Sequence, residues 1–298
     1  MIGLIIVILF YIFYNIKLNT YENFESLNKV PLIERPNNWP RLTFNEKLRI
    51  YGAGLNENHS IYADKLRIKD VIKKFNIPDL HHAKLIKVLD KNNDSLNLQE
   101  LPKNCIIKTN NGWNDIIIVE NGNIKLMFAR GRKMSPQIEN YGPWKRKALS
   151  KFVKDREQQY QYIDPEVFVE EHLGNNLSDY KFFCIHGKFK VGILMKGRFK
   201  KVCDYYFDRD LNKLNISGLG GPAHGNCKYY NFIKNEKNQI KRMIEMSEKI
   251  SSLFEFARID FYLINDKIYF GEITFTPVAC GVNLKPQSLN KKYGLEWV

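Results

Sequence analysis

The feature that most constrains the fold is a pair of strand-like runs near the end of the chain. Ala257–Ile264 and Lys267–Thr274 are rich in β-branched and aromatic residues, and the dipeptide Asn265-Asp266 separates them. Two such runs around a two-residue Asn-Asp turn are typical of a β-hairpin. The sequence therefore predicts two antiparallel strands in this stretch.

Two carboxylates of this hairpin are expected to lie side by side. Because side chains alternate between the faces of a strand, Asp260 shares a face with Arg258 and lies across the ladder from Glu272. Neighbouring carboxylates repel each other unless a cation lies between them, and hard oxygen ligands suit magnesium bound to phosphate. The guanidinium of Arg258 is suited to bidentate binding of a phosphoryl group. An exposed hairpin face with unrelated charges is the alternative interpretation.

Around these carboxylates the chain resembles the TupA-like ATP-grasp family, whose members are linked to the synthesis of teichuronopeptide and other surface polysaccharides. The resemblance rests first on Arg-Ile-Asp at 258–260 and on Gly-Glu-Ile-Thr-Phe-Thr-Pro at 271–277. Together these are similar to the magnesium hairpin of ATP-grasp enzymes. The resemblance extends from about Phe44 to about Tyr293, and it implies an α+β ATP-grasp fold with the nucleotide between a small lid lobe and a C-terminal lobe.

The resemblance also implies roles for residues of the hairpin. Asp260, Glu272 and Thr274 are expected to bind Mg²⁺, and Arg258 is expected to act as a catalytic residue on the transferring phosphoryl group. Thr274 takes the position that is Asn in the peptide ligases of the superfamily, where a threonine ligates a metal more weakly or through water. After Pro277 the family usually shows a run of glycines, which this chain lacks.

Composition and charge are those of a basic globular protein. The chain has 298 residues, 44% of them hydrophobic and 13% aromatic, and a net charge of +14. This charge favours anionic partners such as nucleotides, acidic glycans or anionic lipid, unless the lysines only reflect genome composition. Because the sequence shows no nucleic-acid-binding motif, we expect no nucleic-acid partner. The five scattered cysteines are odd in number and lack a CxxC pair, which indicates a reducing compartment and no structural zinc.

An apolar run begins the chain. Ile2–Ile16 is short for a membrane-spanning helix, which needs about 20 residues, but flanking residues could extend it. The first positive charge, Lys17, follows this run, which by the positive-inside rule leaves the body of the protein on the cytoplasmic side. We therefore expect a membrane anchor at residues 1–18, with a removed signal or a buried helix as alternatives. Residues 19–42 contain three prolines and are predicted to be a linker.

The remaining chain is predicted to form an N-terminal lobe (43–103), a lid (104–172) and a C-terminal lobe (173–298). In the first of these, apolar residues recur at helical spacing through Asp64–Phe75. This pattern predicts an amphipathic helix that Asp64 caps. A further candidate helix, with apolar residues from Ile240 to Phe254, leads into the hairpin.

The Asp-Lys pair that opens the first of these helices is similar to the family segment that carries an ATP-contacting lysine. The resemblance therefore implies that Lys65 binds ATP, with Lys69 behind it. In the lid, the strand Cys105–Lys108 is followed by a loop of small residues and a second strand, Ile116–Val119. Such a loop can bring backbone N–H groups over phosphates.

The family's loop at this place is usually Lys-Cys-Asn-His-Gly-Ser-Gly. This chain keeps Lys108, Asn110 and Gly112 of that motif, which the resemblance makes nucleotide-binding residues. It differs at Asn111, where the family has His, and at 113–114, where Trp-Asn replaces Ser-Gly. The segment from Arg130 to Gln161 is basic, aromatic and irregular, and we expect it to be a packed excursion of the lid, with binding of an acidic substrate as the alternative.

Two further stretches match the family. Val167–Leu173 resembles its hinge strand, in which a glutamate binds the ribose hydroxyls, so Glu170 and Glu171 are both candidates. Asp179–Lys188 is similar to the family's Asp-Tyr-Lys-Phe-Phe-Cys-Phe-Asn-Gly-Lys, which implies that Lys181 is a catalytic contact to phosphate or substrate.

The resemblance implies ATP-dependent carboxylate–amine ligation through an acyl phosphate, with ATP and Mg²⁺ as cofactors. The partners would be small-molecule or glycan carboxylates and amines, and the product a modified surface polymer. Two alternatives stay open. One is a glycan or small-molecule kinase on the same fold, and the other is a non-catalytic, membrane-tethered nucleotide-binding protein.

Overall fold

The structure is a computed structural model, which describes residues 27–150, 156–175, 177–196, 203–220 and 230–298. In these residues, twelve strands form two six-stranded sheets. The predicted membrane anchor at 1–18 lies outside the described residues. Within the described ranges, no helix has the length and apolar character that crossing a membrane requires.

The helices and strands alternate irregularly along the chain. The helices are α1 (Phe44–Gly54), α2 (Glu57–Ala63), α3 (Ile68–Lys74), α4 (Tyr141–Leu149), α5 (Tyr230–Asn235), α6 (Lys237–Ser251) and α7 (Gln287–Glu296). The strands are β1 (Leu80–His82), β2 (Leu85–Leu89), β3 (Cys105–Thr109), β4 (Ile116–Glu120), β5 (Asn123–Ala129), β6 (Arg132–Lys133), β7 (Val167–Glu171), β8 (Ser178–Ile185), β9 (Lys188–Lys196), β10 (Cys203–Phe207), β11 (Phe256–Ile264) and β12 (Lys267–Thr274). Short 3-10 helices occur at Trp39–Arg41, Leu98–Glu100, Ile138–Asn140, Gln158–Tyr162 and Pro277–Cys280.

The first sheet, which we call the body sheet, has the strand order β1-β12-β11-β8-β9-β10. Only β1 pairs in parallel, with β12, and the other pairs are antiparallel. Helix α6 packs its apolar face on this sheet, and Met243 and Ile250 are fully buried, as the helical spacing predicted. Helix α1 joins the same core, where the Tyr51 ring contacts the rings of Phe256 and Trp297.

The second sheet, the lid sheet, has the order β2-β7-β3-β4-β5-β6 and is antiparallel throughout. It has a hydrophobic core of its own, separate from that of the body, in which α4 buries Trp144. The Trp144 indole N–H donates to the Phe128 carbonyl at 2.7 Å. The expectation of an irregular segment from Arg130 to Gln161 is therefore wrong in its middle, where Tyr141–Leu149 is helical. Burial of the Trp144 ring, with its N–H hydrogen-bonded, stabilises this helix.

The chain before the lid divides between the two sheets. Residues 43–103, predicted as an N-terminal lobe, contribute β1 to the body sheet and β2 to the lid sheet. The described part of the predicted linker, 27–42, packs on the body. Its residues Ile33 and Trp39 are buried, and the backbone N–H of Ile33 donates to Glu255 at 2.8 Å.

Candidate functional site

The hairpin of β11 and β12 forms as the sequence predicts. Asn265 and Asp266 both have positive φ angles, 47° and 63°, which is the backbone of a type I′ turn. The pairing is regular from this turn to Phe261, which lies opposite Phe270. This turn fixes where each later side chain falls on the ladder.

A bulge then brings the two carboxylates together. A regular ladder would place Asp260 opposite Gly271, but the register shifts at this point, and Asp260 pairs with Glu272. A Cβ atom at Gly271 would lie 2.9 Å from the carbonyl oxygen of Asp260, which is too close for a side chain. The predicted pairing of Asp260 and Glu272 is therefore confirmed, and a glycine bulge that the alternation pattern does not show produces it.

The cation between the carboxylates is a guanidinium. Arg258 donates two hydrogen bonds to Asp260, from Nε to Oδ1 and from one terminal nitrogen to Oδ2, both at 2.7 Å. The same terminal nitrogen lies 3.3 Å from Glu272 and 3.0 Å from the hydroxyl of Thr274. Thr274 in turn donates to Glu272 at 3.2 Å. Arg258 thus joins all three residues that the sequence assigned to the metal.

Lys181 completes this group from the neighbouring strand β8. Its Nζ lies 2.7 Å from Asp260 and 3.1 Å from Asp179. Burial raises the pKa of Asp260, and Arg258 and Lys181 oppose that shift. Although its own burial opposes it, Asp260 raises the pKa of Arg258. Sequence reasoning missed Asp179, although its place two residues before Lys181 on one strand puts both side chains on one face.

Lys65 connects the lid loop to the hairpin. Its Nζ donates to the carbonyl of Gly112 and lies 3.8 Å from Glu272. The turn that carries Lys65 is fixed by Asp64, which accepts from the backbone N–H groups of Leu66 and Arg67 at 2.8 and 3.0 Å. The prediction that Asp64 caps the helix is wrong, because the regular helix begins only at Ile68 with Arg67 as its N-cap. Asp64 instead fixes the turn that precedes the helix.

The other two candidate lysines, Lys69 and Lys108, contact Glu170 of strand β7. Lys108 pairs with Glu170, and Lys69 reaches the second oxygen of the same carboxylate at 2.9 Å. Glu171, the alternative ribose candidate, is exposed and accepts from the backbone N–H of Lys84 at 3.3 Å. The structure therefore pairs Lys108 with the buried carboxylate of Glu170 and leaves Glu171 at the surface.

The lid loop is anchored by a buried amide. Asn110 is fully buried, and its amide nitrogen donates to Asp64 and to the carbonyl of Asp164, both at 3.0 Å. Its amide oxygen accepts from the backbone N–H of Glu166 at 2.8 Å. Its backbone N–H donates to the carbonyl of Glu166 at 3.1 Å, and its carbonyl accepts from the backbone N–H of Lys65 at 2.9 Å. In this structure Asn110 thus holds the loop in place through both its side chain and its backbone, and does not present a polar group to a nucleotide.

The tip of the loop carries the residue that differs most from the family. Trp113 is 55% exposed, and its ring covers Gly131, where a Cβ atom would lie 2.3 Å from the indole. Gly112, just before it, has a φ of +69°, a conformation that favours glycine. The loop therefore keeps a glycine where its backbone needs one and exposes an indole beside it.

The segment after Pro277 has the backbone of a glycine run without the glycines. Val278, Ala279 and Cys280 have φ angles of 56°, 50° and 59°, in the left-handed region that non-glycine residues rarely adopt. Cys280 is fully buried, and its thiol donates to the carbonyl of Arg156 at 3.5 Å. Strained residues of this kind persist where their surroundings fix them, often beside functional sites.

The donors of the hairpin suit a magnesium ion only in part. Asp260, Glu272 and Thr274 offer oxygen atoms, which Mg²⁺ prefers. Within the described ranges, no group of three or more His, Cys, Asp or Glu residues is arranged to hold a metal. A magnesium ion on Asp260 and Glu272 would therefore take further ligands from phosphate and water, and Arg258 would have to move off the pair.

Comparisons with known proteins identify the family of the chain. The model of the TupA-like ATP-grasp family matches residues 46–297, and the chain belongs to this family. It therefore has an ATP-grasp fold, whose members are generally ATP-dependent ligases that bind ATP and typically Mg²⁺. A search of curated proteins found no match.

Solved structures give more distant similarities. D-alanine–D-alanine ligase from Helicobacter pylori is 16% identical over 80% of this chain and 60% of the ligase, with a TM-score of 0.37. The ligase from Bacillus anthracis is 15% identical over 76% and 59%, with a TM-score of 0.38. Biotin carboxylase from Campylobacter jejuni is 14% identical over 79% and 44%, with a TM-score of 0.41. The chain thus spans less than two thirds of each of these enzymes.

Proposed function

We propose that the protein is an ATP-dependent carboxylate–amine ligase that acts in polysaccharide or glycan-peptide biosynthesis. The observation that carries the proposal is the hairpin cluster, in which Arg258 joins Asp260, Glu272 and Thr274 beside Lys181. An arrangement of buried charges with this geometry is suited to a phosphoryl group that changes its charge during transfer.

The reaction has two steps. A carboxylate oxygen of the first substrate attacks the γ-phosphorus of ATP, the bond to the β–γ bridging oxygen breaks, and ADP leaves. The amine nitrogen of the second substrate then attacks the acyl carbon, phosphate leaves with the acyl oxygen, and the amine loses a proton. When bound, Mg²⁺ supplies positive charge that neutralises the phosphates.

The residues of this chain have separate roles in that scheme. Lys65 and Lys108 bind phosphate oxygens from the side of the lid, beside Gly112 in the loop that Asn110 anchors. Arg258 and Lys181 stabilise the transferring phosphoryl group. Asp260 and Glu272 would hold the metal, with Thr274 as a weaker ligand, and without the metal they pair with Arg258 through the hydrogen bonds described above.

The proposed substrates rest on the net charge of the chain as well as on its family. The net charge of +14 favours an anionic acceptor, such as a uronic acid in a glycan. A small amino acid or peptide would supply the amine.

The test is phosphate release from Mg-ATP by the purified full-length chain, screened against amino acids and uronic-acid acceptors. Mass spectrometry of the products should show an amide, formed with loss of water. A phosphorylated sugar would instead establish the kinase alternative. Nucleotide binding without turnover against all acceptor pairs would favour the non-catalytic alternative.

A further inference from the structure

Lys69, Glu170 and Lys108 form a cluster of three charged side chains. One oxygen of Glu170 pairs with Lys108, and the other lies 2.9 Å from the Nζ of Lys69. The side chains of Glu170 and Lys69 are only 6% and 11% exposed. Lys69 also donates to the carbonyl of Ala83 at 2.8 Å. Both oxygens of Glu170 are therefore engaged by ammonium groups.

Lys108 is the most exposed side chain of the cluster. Its side chain is 24% exposed, and its Nζ lies 5.5 Å from the centroid of the Phe168 ring. Against the lowering effect of burial, Glu170, Tyr262 and Glu272 raise the pKa of Lys108, and the last two belong to the hairpin. The charge of Lys108 is thus directed towards the site, whereas Lys69 lies behind Glu170.

The charges of the cluster do not cancel. Two ammonium groups and one carboxylate leave one positive charge, and burial makes that charge felt over a longer distance than in water. Without Lys69, the carboxylate of Glu170 would neutralise Lys108, and the pair would attract a phosphate only weakly.

We propose that Lys69 and Glu170 are positioning residues for phosphate binding by Lys108. Glu170 serves as the buried counter-ion that holds both ammonium groups in the fold, not as a ligand of the ribose, and Lys69 supplies the charge that keeps the cluster positive. This inference rests on the proposed function, because it assumes that Lys108 meets a nucleotide phosphate.

Three variants separate the effects of charge from those of shape. Lys69→Met brings the cluster to a net charge of zero, and Glu170→Gln brings it to two positive charges. The double variant Lys69→Met/Glu170→Gln returns it to one. At an effective dielectric constant of about 20, a unit charge about 8 Å from a phosphate changes affinity by about 30-fold.

The experiment measures binding of ADP and of inorganic tripolyphosphate by isothermal titration calorimetry. Lys69→Met should weaken both by about 30-fold, Glu170→Gln should bind tripolyphosphate at least as tightly as wild type, and the double variant should recover most of the loss. Unchanged binding by Lys69→Met, or no recovery in the double variant, would overturn the inference. If Glu170 were a ribose ligand, Glu170→Gln would weaken ADP binding and leave tripolyphosphate binding unaffected.

Urea unfolding without any ligand provides a second readout for the same variants. Glu170→Gln should lower the midpoint, because it leaves two buried ammonium groups without a counter-ion, and adding Lys69→Met should raise it again. If the midpoint changes of the two single variants simply add in the double variant, the three side chains are not coupled, and this would also overturn the inference. A wild-type protein that binds neither ADP nor tripolyphosphate would instead refute the proposed function itself.

Discussion

Substitutions of Asp260 and Glu272 are expected to have different effects on stability, although each removes one carboxylate from the same hairpin. Asp260 is 1% exposed and accepts three hydrogen bonds of 2.7 Å, two from Arg258 and one from Lys181. The side chain of Glu272 is 33% exposed and lies 3.3 Å from the guanidinium. Asp260→Asn therefore removes the shared counter-ion of two buried cations, whereas Glu272→Gln leaves both of them paired with Asp260.

The expected magnitudes follow from this difference in burial. Removing one partner of a buried ion pair costs about 3–5 kcal/mol of unfolding free energy, and a partly exposed pair contributes about 0–1 kcal/mol. For a chain of this size, Asp260→Asn should lower the melting temperature by roughly 10 °C, and Glu272→Gln by about 3 °C at most. Glu272→Gln should nevertheless lower turnover about 100- to 1,000-fold, because it removes a charge that acts on the transferring phosphoryl group.

Two measurements check this prediction, thermal unfolding by circular dichroism without ligand and phosphate release with limiting magnesium. Asp266→Asn is the matched control, because Asp266 lies in the hairpin turn and asparagine tolerates its φ of 63°. It should behave as wild type in both assays. Equal melting temperatures for Asp260→Asn and Glu272→Gln would refute the reasoning from burial. Wild-type turnover in Glu272→Gln would remove the metal hairpin from the mechanism.

Three further predictions concern the bulge, the lid loop and a buried histidine. Gly271→Ala should destabilise the fold by about 1–3 kcal/mol in urea unfolding and reduce phosphate release, because its Cβ would press on the Asp260 carbonyl; wild-type stability would contradict this. Iodide quenching of tryptophan fluorescence should decrease when Mg-ADP binds, because Trp113 is exposed and the other three tryptophans are buried. If Mg-ADP leaves the quenching unchanged, bound nucleotide does not cover Trp113. Burial lowers the pKa of His59 to about 4, so protonation favours the unfolded chain, and unfolding free energy should fall by about 3 kcal/mol from about pH 6.5 to about pH 4. His59→Asn should remove this part of the pH dependence in urea unfolding, and an unchanged dependence would contradict it.

The sequence identified most of the hairpin, because its signals are local. The turn residues, the alternation and the charged positions all lie within about one hairpin's length, and the predicted partners Asp260 and Glu272 do meet. The reason they meet could not be read from alternation alone. Gly271 adds one residue to β12, and the need for it arises from the carbonyl of Asp260 on the other strand.

The partners of the lysines could not be predicted, because they depend on contacts between distant segments. Glu170 and Lys69 are 101 residues apart, and only the docking of α3 against β7 brings them together. The buried contacts of Asn110 with Asp64 and Asp164 are non-local in the same way. For this reason the sequence suggested nucleotide contacts at residues whose side chains are engaged with the protein.

The prolines of residues 19–42 favoured a linker, but the described part of this stretch packs on the body. Proline favours extended backbone without excluding burial, and Ile33 and Trp39 of this stretch pack on the body. Their partners, Glu255 and Trp297, follow more than 200 residues later. No local pattern distinguishes an extended segment that docks in this way from one that does not.

The two separate hydrophobic cores have a consequence for how the molecule opens. The lid sheet buries Trp144 with residues of β3 and β7, and the body buries its own aromatic cluster. Opening the lid therefore breaks polar contacts such as those of Lys65 and Asn110 and leaves both cores intact. Amide protons of the lid strands should then exchange as one cooperative group, independently of those in β8 and β11. A nucleotide bound between the sheets would slow the exchange of both groups together, since each sheet would hold one side of the same ligand.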